Sequence, residues 1–72
     1  MKSEYVIKKG RGDVYVEIYR SDDETDAIER FTQYLAKHGT PSHYNELAGY
    51  RSAGYMGGTS KAYWFELVEE QL

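Results

Sequence analysis

Residues 21–39 read SDDETDAIERFTQYLAKHG, and the fold class turns on this stretch. Ala27, Ile28, Phe31, Tyr34, Leu35 and His38 recur at the i, i+3, i+4, i+7 spacing, which gathers them on one side of an α-helix. Ser21 and Glu24 have the spacing of a capping box, in which the hydroxyl accepts the third helical N–H and the carboxylate reaches back to the cap N–H. Asp22, Asp23, Glu24 and Asp26 load the first turn with acid, and Lys37 and His38 place base in the last, as the helix dipole favours. Gly39 can leave the helix in the left-handed conformation, and Pro41 cannot continue it. The spacing predicts a helix over about 22–38 with one apolar side, which the flanking segments must cover.

Upstream, Glu4–Lys9 (EYVIKK) and Val14–Arg20 (VYVEIYR) predict two strands joined by the turn Gly10-Arg11-Gly12-Asp13, whose glycines tolerate positive φ. In the second strand Val14, Val16 and Ile18 share one face by the period of two; Tyr15, Glu17 and Tyr19 share the other. Residues 4–20 thus predict a β-hairpin. It packs Val14, Val16 and Ile18, with Ile7 or Val6, on the helix and turns Tyr15 and Tyr19 away from it. Downstream, Thr40-Pro41 with Gly49 as a stop favours a short helical turn at about 41–47 over an extended segment from His43 onward. Gly57-Gly58 predicts a hairpin turn between a strand at about 50–56 and a strand at Lys61–Glu69. That last strand is apolar or aromatic on both faces, with Ala62, Trp64 and Val68 on one and Tyr63, Phe65 and Leu67 on the other. Such a strand is usually central, or one whose outer face meets a partner. The sum is one α+β domain over residues 1–72: ββαββ, a mostly antiparallel four-stranded sheet with one helix on one face.

Composition narrows the function. The chain has 72 residues and no Cys, so neither a disulfide nor a thiolate metal site is available. The N-terminal segment MKSEYVIKKG lacks the apolar run of a signal peptide, and no stretch approaches the roughly 20 apolar residues of a membrane span. A cytoplasmic protein without membrane attachment is the expectation. Net charge is −3 and unevenly placed. Lys2, Lys8, Lys9 and Arg11 make the start basic. Asp13, Glu17, Asp22, Asp23, Glu24, Asp26 and Glu29 make the middle acidic, and Glu66, Glu69 and Glu70 close the chain. An acidic total disfavours general nucleic-acid binding, which is driven by phosphate neutralisation.

Chemical motifs are weak. His38 and His43 lie five apart across a helix end and a proline, not at the i, i+4 spacing of a helical metal pair, so no metal or other cofactor is expected. Gly10-Arg11-Gly12 begins like a phosphate-binding fingerprint, but it links two strands where that fingerprint needs a strand and then a helix. There is no Cys nucleophile, no Ser in a nucleophile elbow, and little room for a pocket that could separate two carboxylates. An enzyme is not expected.

The unusual number is eight Tyr in 72 residues, beside one Trp and two Phe. Tyr and Arg are enriched among interface anchors. One helix covers one sheet face, yet the strands carry aromatics on both. These considerations predict a partner-binding surface of Tyr15, Tyr19, Tyr50, Arg51, Tyr55, Met56 and Tyr63, with a secondary acidic surface at Asp22, Asp23 and Asp26. The expected function is that of a non-catalytic protein-binding module. The first alternative is a single-stranded nucleic-acid binder that stacks bases on an aromatic and basic sheet face. The second is a small structural homo-oligomer that buries the same tyrosines in a homodimer seam.

In size, lack of Cys, charge and αβ layout, the whole chain resembles the small phage and mobile-element proteins that inhibit a host enzyme or defence complex, of which anti-CRISPR proteins are the best-known group. The resemblance rests on no motif and assigns no residue. It implies an inhibitor that occupies the surface of a host protein or protein–nucleic acid complex in the host cytoplasm.

Overall fold

The computed structural model describes residues 2–56 and 62–71. Their elements are β1 (Ser3–Arg11), β2 (Val14–Ser21), α1 (Glu24–His38), β3 (His43–Leu47), β4 (Tyr50–Tyr55) and β5 (Tyr63–Gln71). The strands form a five-stranded sheet in the order β2-β1-β5-β4-β3, every neighbouring pair antiparallel. The α+β class, the opening hairpin and the single helix agree with expectation, and β5 is central between β1 and β4, as its two apolar faces implied. The sheet has five strands rather than four.

The extra strand corrects the expected helical turn at 41–47. His43–Leu47 pairs along Tyr50–Gly54 across the two residues Ala48-Gly49. Gly49 takes φ 73°, and its carbonyl accepts the Glu69 N–H at 3.0 Å, so the turn is also fixed to β5. A helix this short is marginal alone, and pairing to β4 outweighs its local signals. The proposed Gly57-Gly58 turn and Lys61 lie outside the described residues.

The helix starts two residues later than the capping box implied. Asp23 is the N-cap, its Oδ1 accepting the Thr25 N–H at 3.1 Å, while the Ser21 hydroxyl accepts the Asp23 N–H at 3.1 Å. β2 runs through Ser21, which leaves Asp22 and Asp23 to make the corner. At the other end, the Tyr55 hydroxyl donates to the Gly39 carbonyl at 3.0 Å, satisfying a group that the helix terminus leaves unpaired.

The core is built from Ile7, Ala27, Phe31, Ala53, Tyr55, Phe65 and Leu67, with Ile18, Tyr19, Ile28, Tyr34 and Leu35 packed against it. Tyr34 stacks on Phe65 with centroids 5.9 Å apart, and Tyr55 stacks on Tyr63 at 5.1 Å. Phe31 and Phe65 are each only 1% exposed. Burial of each ring contributes roughly 1.5–3 kcal/mol.

Two residues of β2 face differently from the simple alternation. The β1–β2 register slips at Ile7/Lys8: Tyr19 pairs with Ile7 and Glu17 with Lys8, leaving Ile18 as the extra residue of a β-bulge. Ile18 and Tyr19 both pack on the core cluster, so Tyr19 lies on the helix side and not beside Tyr15. Val14 and Val16 give the second correction. They pair with Arg11 and Lys9 yet remain 70% and 55% exposed, so the helix does not bury them.

The cause is the helix's diagonal course. In its first half, Asp26 accepts a hydrogen bond from Tyr19 of β2, and Arg30 lies over the Tyr19 ring, 4.5 Å from its centroid. At its end, His38 packs on Tyr55 of β4 and Tyr63 of β5. Fifteen residues span about 22 Å, so a helix crossing from β2 to β4 leaves two opposite corners of that sheet face uncovered.

Candidate functional site

The sheet face away from the helix is occupied largely by its own charges. Arg20 donates to Glu17 at 2.7 Å and to Glu4 at 3.2 Å, and pairs with Glu70 at 3.3 Å; Lys8 pairs with Glu70 at 3.9 Å. The Glu17 hydrogen bond raises the Arg20 pKa further above its ordinary value, and Arg20 in turn holds the Glu17 carboxyl below the usual range. Single surface pairs contribute about 0–1 kcal/mol, but here three carboxylates converge on one guanidinium. The Tyr50 hydroxyl donates to Glu66 at 3.3 Å. Glu4, Glu17, Glu66 and Glu70 therefore set the charge of this face against Lys8 and Arg20.

Its aromatic feature is Trp64, which the β1–β5 register places opposite Gly10. The indole lies directly over Gly10 and approaches Tyr15 with centroids 6.0 Å apart. A strand glycine often marks such a close approach. Gly10 thus serves the strand and not the turn, where Gly12 alone takes positive φ, 64°.

The predicted partner-binding residues are spread over both faces. Tyr15 is on the open face with Trp64, and Tyr50 is there beside Glu66. Tyr19 and Tyr63 are on the helix side, and Tyr55, 6% exposed, belongs to the core. Met56 is exposed after the end of β4. Arg51 pairs with Glu46 at 2.5 Å. Of this set, Tyr55 and Tyr63 stack on one another, while Tyr50 and Arg51, consecutive in β4, point to opposite faces of the sheet. Of the acidic set, Asp23 caps the helix, Asp26 is held by Tyr19, and Asp22 is exposed. The Tyr19 hydroxyl, then Ser21, holds the Asp26 carboxyl below its ordinary pKa; the same bond to Asp26 raises that of Tyr19.

Each of the two uncovered corners of the helix side is concave among the described residues. One is a cleft of about 290 Å³ between α1 and the β3–β4 hairpin, lined by Tyr5, Ile28, Leu47, Tyr50, Arg51 and Leu67 among others. Its Arg51 is already neutralised by Glu46. The other is a depression of about 200 Å³ at the β1–β2 end, lined by Lys9, Gly10, Arg11, Val14, Tyr15 and Val16. It lies on an edge strand, because among the described residues β2 pairs only with β1. Reasoning from sequence assigned Val14 and Val16 to the core. The signal that marks the segment is three apolar residues in succession, Val14, Tyr15 and Val16, which put apolar side chains on both faces of the strand, where one helix covers one face.

Among the described residues, no group of three or more His, Asp or Glu could hold a metal ion, and no helix is long and apolar enough to cross a membrane. Comparison with protein families, curated proteins and solved structures finds no match to this chain.

Proposed function

We propose that this protein is a non-catalytic binding module that acts by occupying the surface of another protein, in the manner of a small inhibitor. The observation that carries the reading is the β2 edge: Val14, Tyr15 and Val16 are successive, apolar and 70%, 56% and 55% exposed on a strand paired on one side only. Edge strands of isolated domains are normally short, charged or covered, because their unpaired backbone groups invite another chain. A polypeptide is the ligand class that can satisfy such an edge and cover its side chains at once. The open face also favours a protein over a nucleic acid, since among the described strand residues Glu4, Glu17, Glu66 and Glu70 outnumber Lys8 and Arg20 there, and phosphate would be repelled.

The test is capture from lysate of the source cells, with and without nuclease, with the parent and with the double variant Val14→Glu/Val16→Glu as baits. Both positions are exposed, so the variant's melt should stay near the parent's. A protein captured by the parent and lost by the variant supports the reading. A bound species that disappears on nuclease treatment supports nucleic-acid binding instead.

A further inference from the structure

Charge at the β2 corner indicates what kind of chain it takes. On the open face, the described cations Lys8 and Arg20 are paired with Glu4, Glu17 and Glu70. On the helix side of the same two strands, Lys9 and Arg11 have no carboxylate within 4.0 Å among the described residues. Lys9 Nζ instead sits 5.8 Å from the Phe65 ring centroid, and the Arg11 guanidinium 5.8 Å from that of Tyr63. Asp13 follows in the turn but makes no ion pair with either. In a chain of net charge −3, this is a local surplus of positive charge flanking exposed valines.

We infer that the occupant of this corner is an extended acidic segment of the partner protein, added to β2 as a sixth strand. The inference rests on the protein-binding reading above. A strand added at β2 lies two strand spacings, about 10 Å, from β1, which Lys and Arg side chains of β1 and a Glu of the new strand together bridge. Side chains alternate along the added strand. Those on the helix side meet Val14 and Val16 with Lys9 and Arg11 beside them, and those on the open side meet Tyr15 and Glu17. The partner's helix-side positions are therefore apolar or acidic, and a lysine there is repelled. Charge sets the choice of partner segment, and backbone pairing supplies the sequence-independent part of the affinity.

The test uses the full chain and two capped octapeptides, one alternating Glu and Val, the other Lys and Val, titrated at low and at physiological salt. Trp64, the one Trp of the chain, lies 6.0 Å from Tyr15 and reports binding by fluorescence. The Glu/Val peptide should bind at least tenfold more tightly than the Lys/Val peptide, and more weakly as salt rises. Lys9→Glu with Arg11→Glu should reverse the preference while the melt stays near the parent's. Equal affinities, no binding of the Glu/Val peptide, or a preference that survives the charge swap overturn the inference. So does tighter binding of oligothymidylate that the same swap abolishes, which assigns the corner to nucleic acid. A dimer in sedimentation that Val16→Glu dissociates also overturns it, in favour of a second copy. Should the peptides fail while the captured protein is still lost with Val14→Glu/Val16→Glu, only the acidic-strand inference falls. Should that captured protein be retained as well, both readings fall.

Discussion

Replacing Gly10 by Ala should destabilise the fold through a single clash. A Cβ at Gly10 would stand 2.1 Å from Trp64 Cζ2 and 2.2 Å from Cε2, where carbon contacts normally begin near 3.5 Å. The indole must move by more than about 1 Å and lift off β1. Forcing extra volume into a packed site costs about 1–3 kcal/mol, while Ala in place of Gly in a strand recovers roughly 0.5–1 kcal/mol. The expected net loss lies between about 0 and 2.5 kcal/mol, with a central value of about 1 kcal/mol. At roughly 4–8 °C per kcal/mol for a domain of this size, the central value lowers the Tm by several degrees. Denaturant melts followed by circular dichroism give the stability, and Trp64 emission should move to the red as the ring enters water. The decisive control is the Trp64→Ala background, where no ring opposes the new methyl. There Gly10→Ala should change sign and stabilise by about 0.5–1 kcal/mol. An equal loss in both backgrounds would show that Gly10 is needed for its backbone and that the packing under Trp64 is irrelevant.

Three further perturbations test other parts of the structure. Phe31→Ala should cost about 3–5 kcal/mol, comparable with the whole net stability of so small a domain, so the melt should lose cooperativity or vanish at room temperature. Tyr55→Phe removes the hydroxyl that closes the helix at Gly39 and should cost about 0.5–1.5 kcal/mol, with faster amide exchange confined to the last turn of α1. Tyr19→Phe should flatten the pH dependence of stability at both ends. The lowered pKa of Asp26 gives stability that is present above its unfolded value near 4 and lost as pH falls through the folded value. The raised pKa of Tyr19 gives stability that is present below about 10 and lost as pH rises through the folded value. The alkaline limb should flatten only in part, since burial also raises the pKa of Tyr5 and Tyr55.

The features legible in the sequence were those set by short-range pattern. The helix period from Ala27 to His38 and the double apolar character of Tyr63–Val68 each follow from neighbours in the chain, and each appears as the element expected. What could not be read were consequences of long-range placement. His43–Leu47 carries helix-start signals, but its state depends on β4 being available beside it. Tyr19 changes face because one bulge residue, Ile18, shifts the period, and no local residue type announces that. Val14 and Val16 have the alternation of core residues and are exposed because the helix crosses the sheet diagonally. The tyrosines divide for the same reason. Tyr55 and Tyr63 became packing partners at the helix end, and only Tyr15 reached the exposed edge of β2.

Hydrogen exchange on the protein with its captured partner bound addresses the role of β2 most directly. The sheet has two edge strands, β2 and β3, and partner binding should protect the one that carries the interface. Amides in Val14–Ile18 should slow on partner binding, while those in His43–Leu47 exchange at the rate of the free protein. Slowing confined to His43–Leu47, with Val14–Ile18 unchanged, would contradict the assignment of the interface to β2.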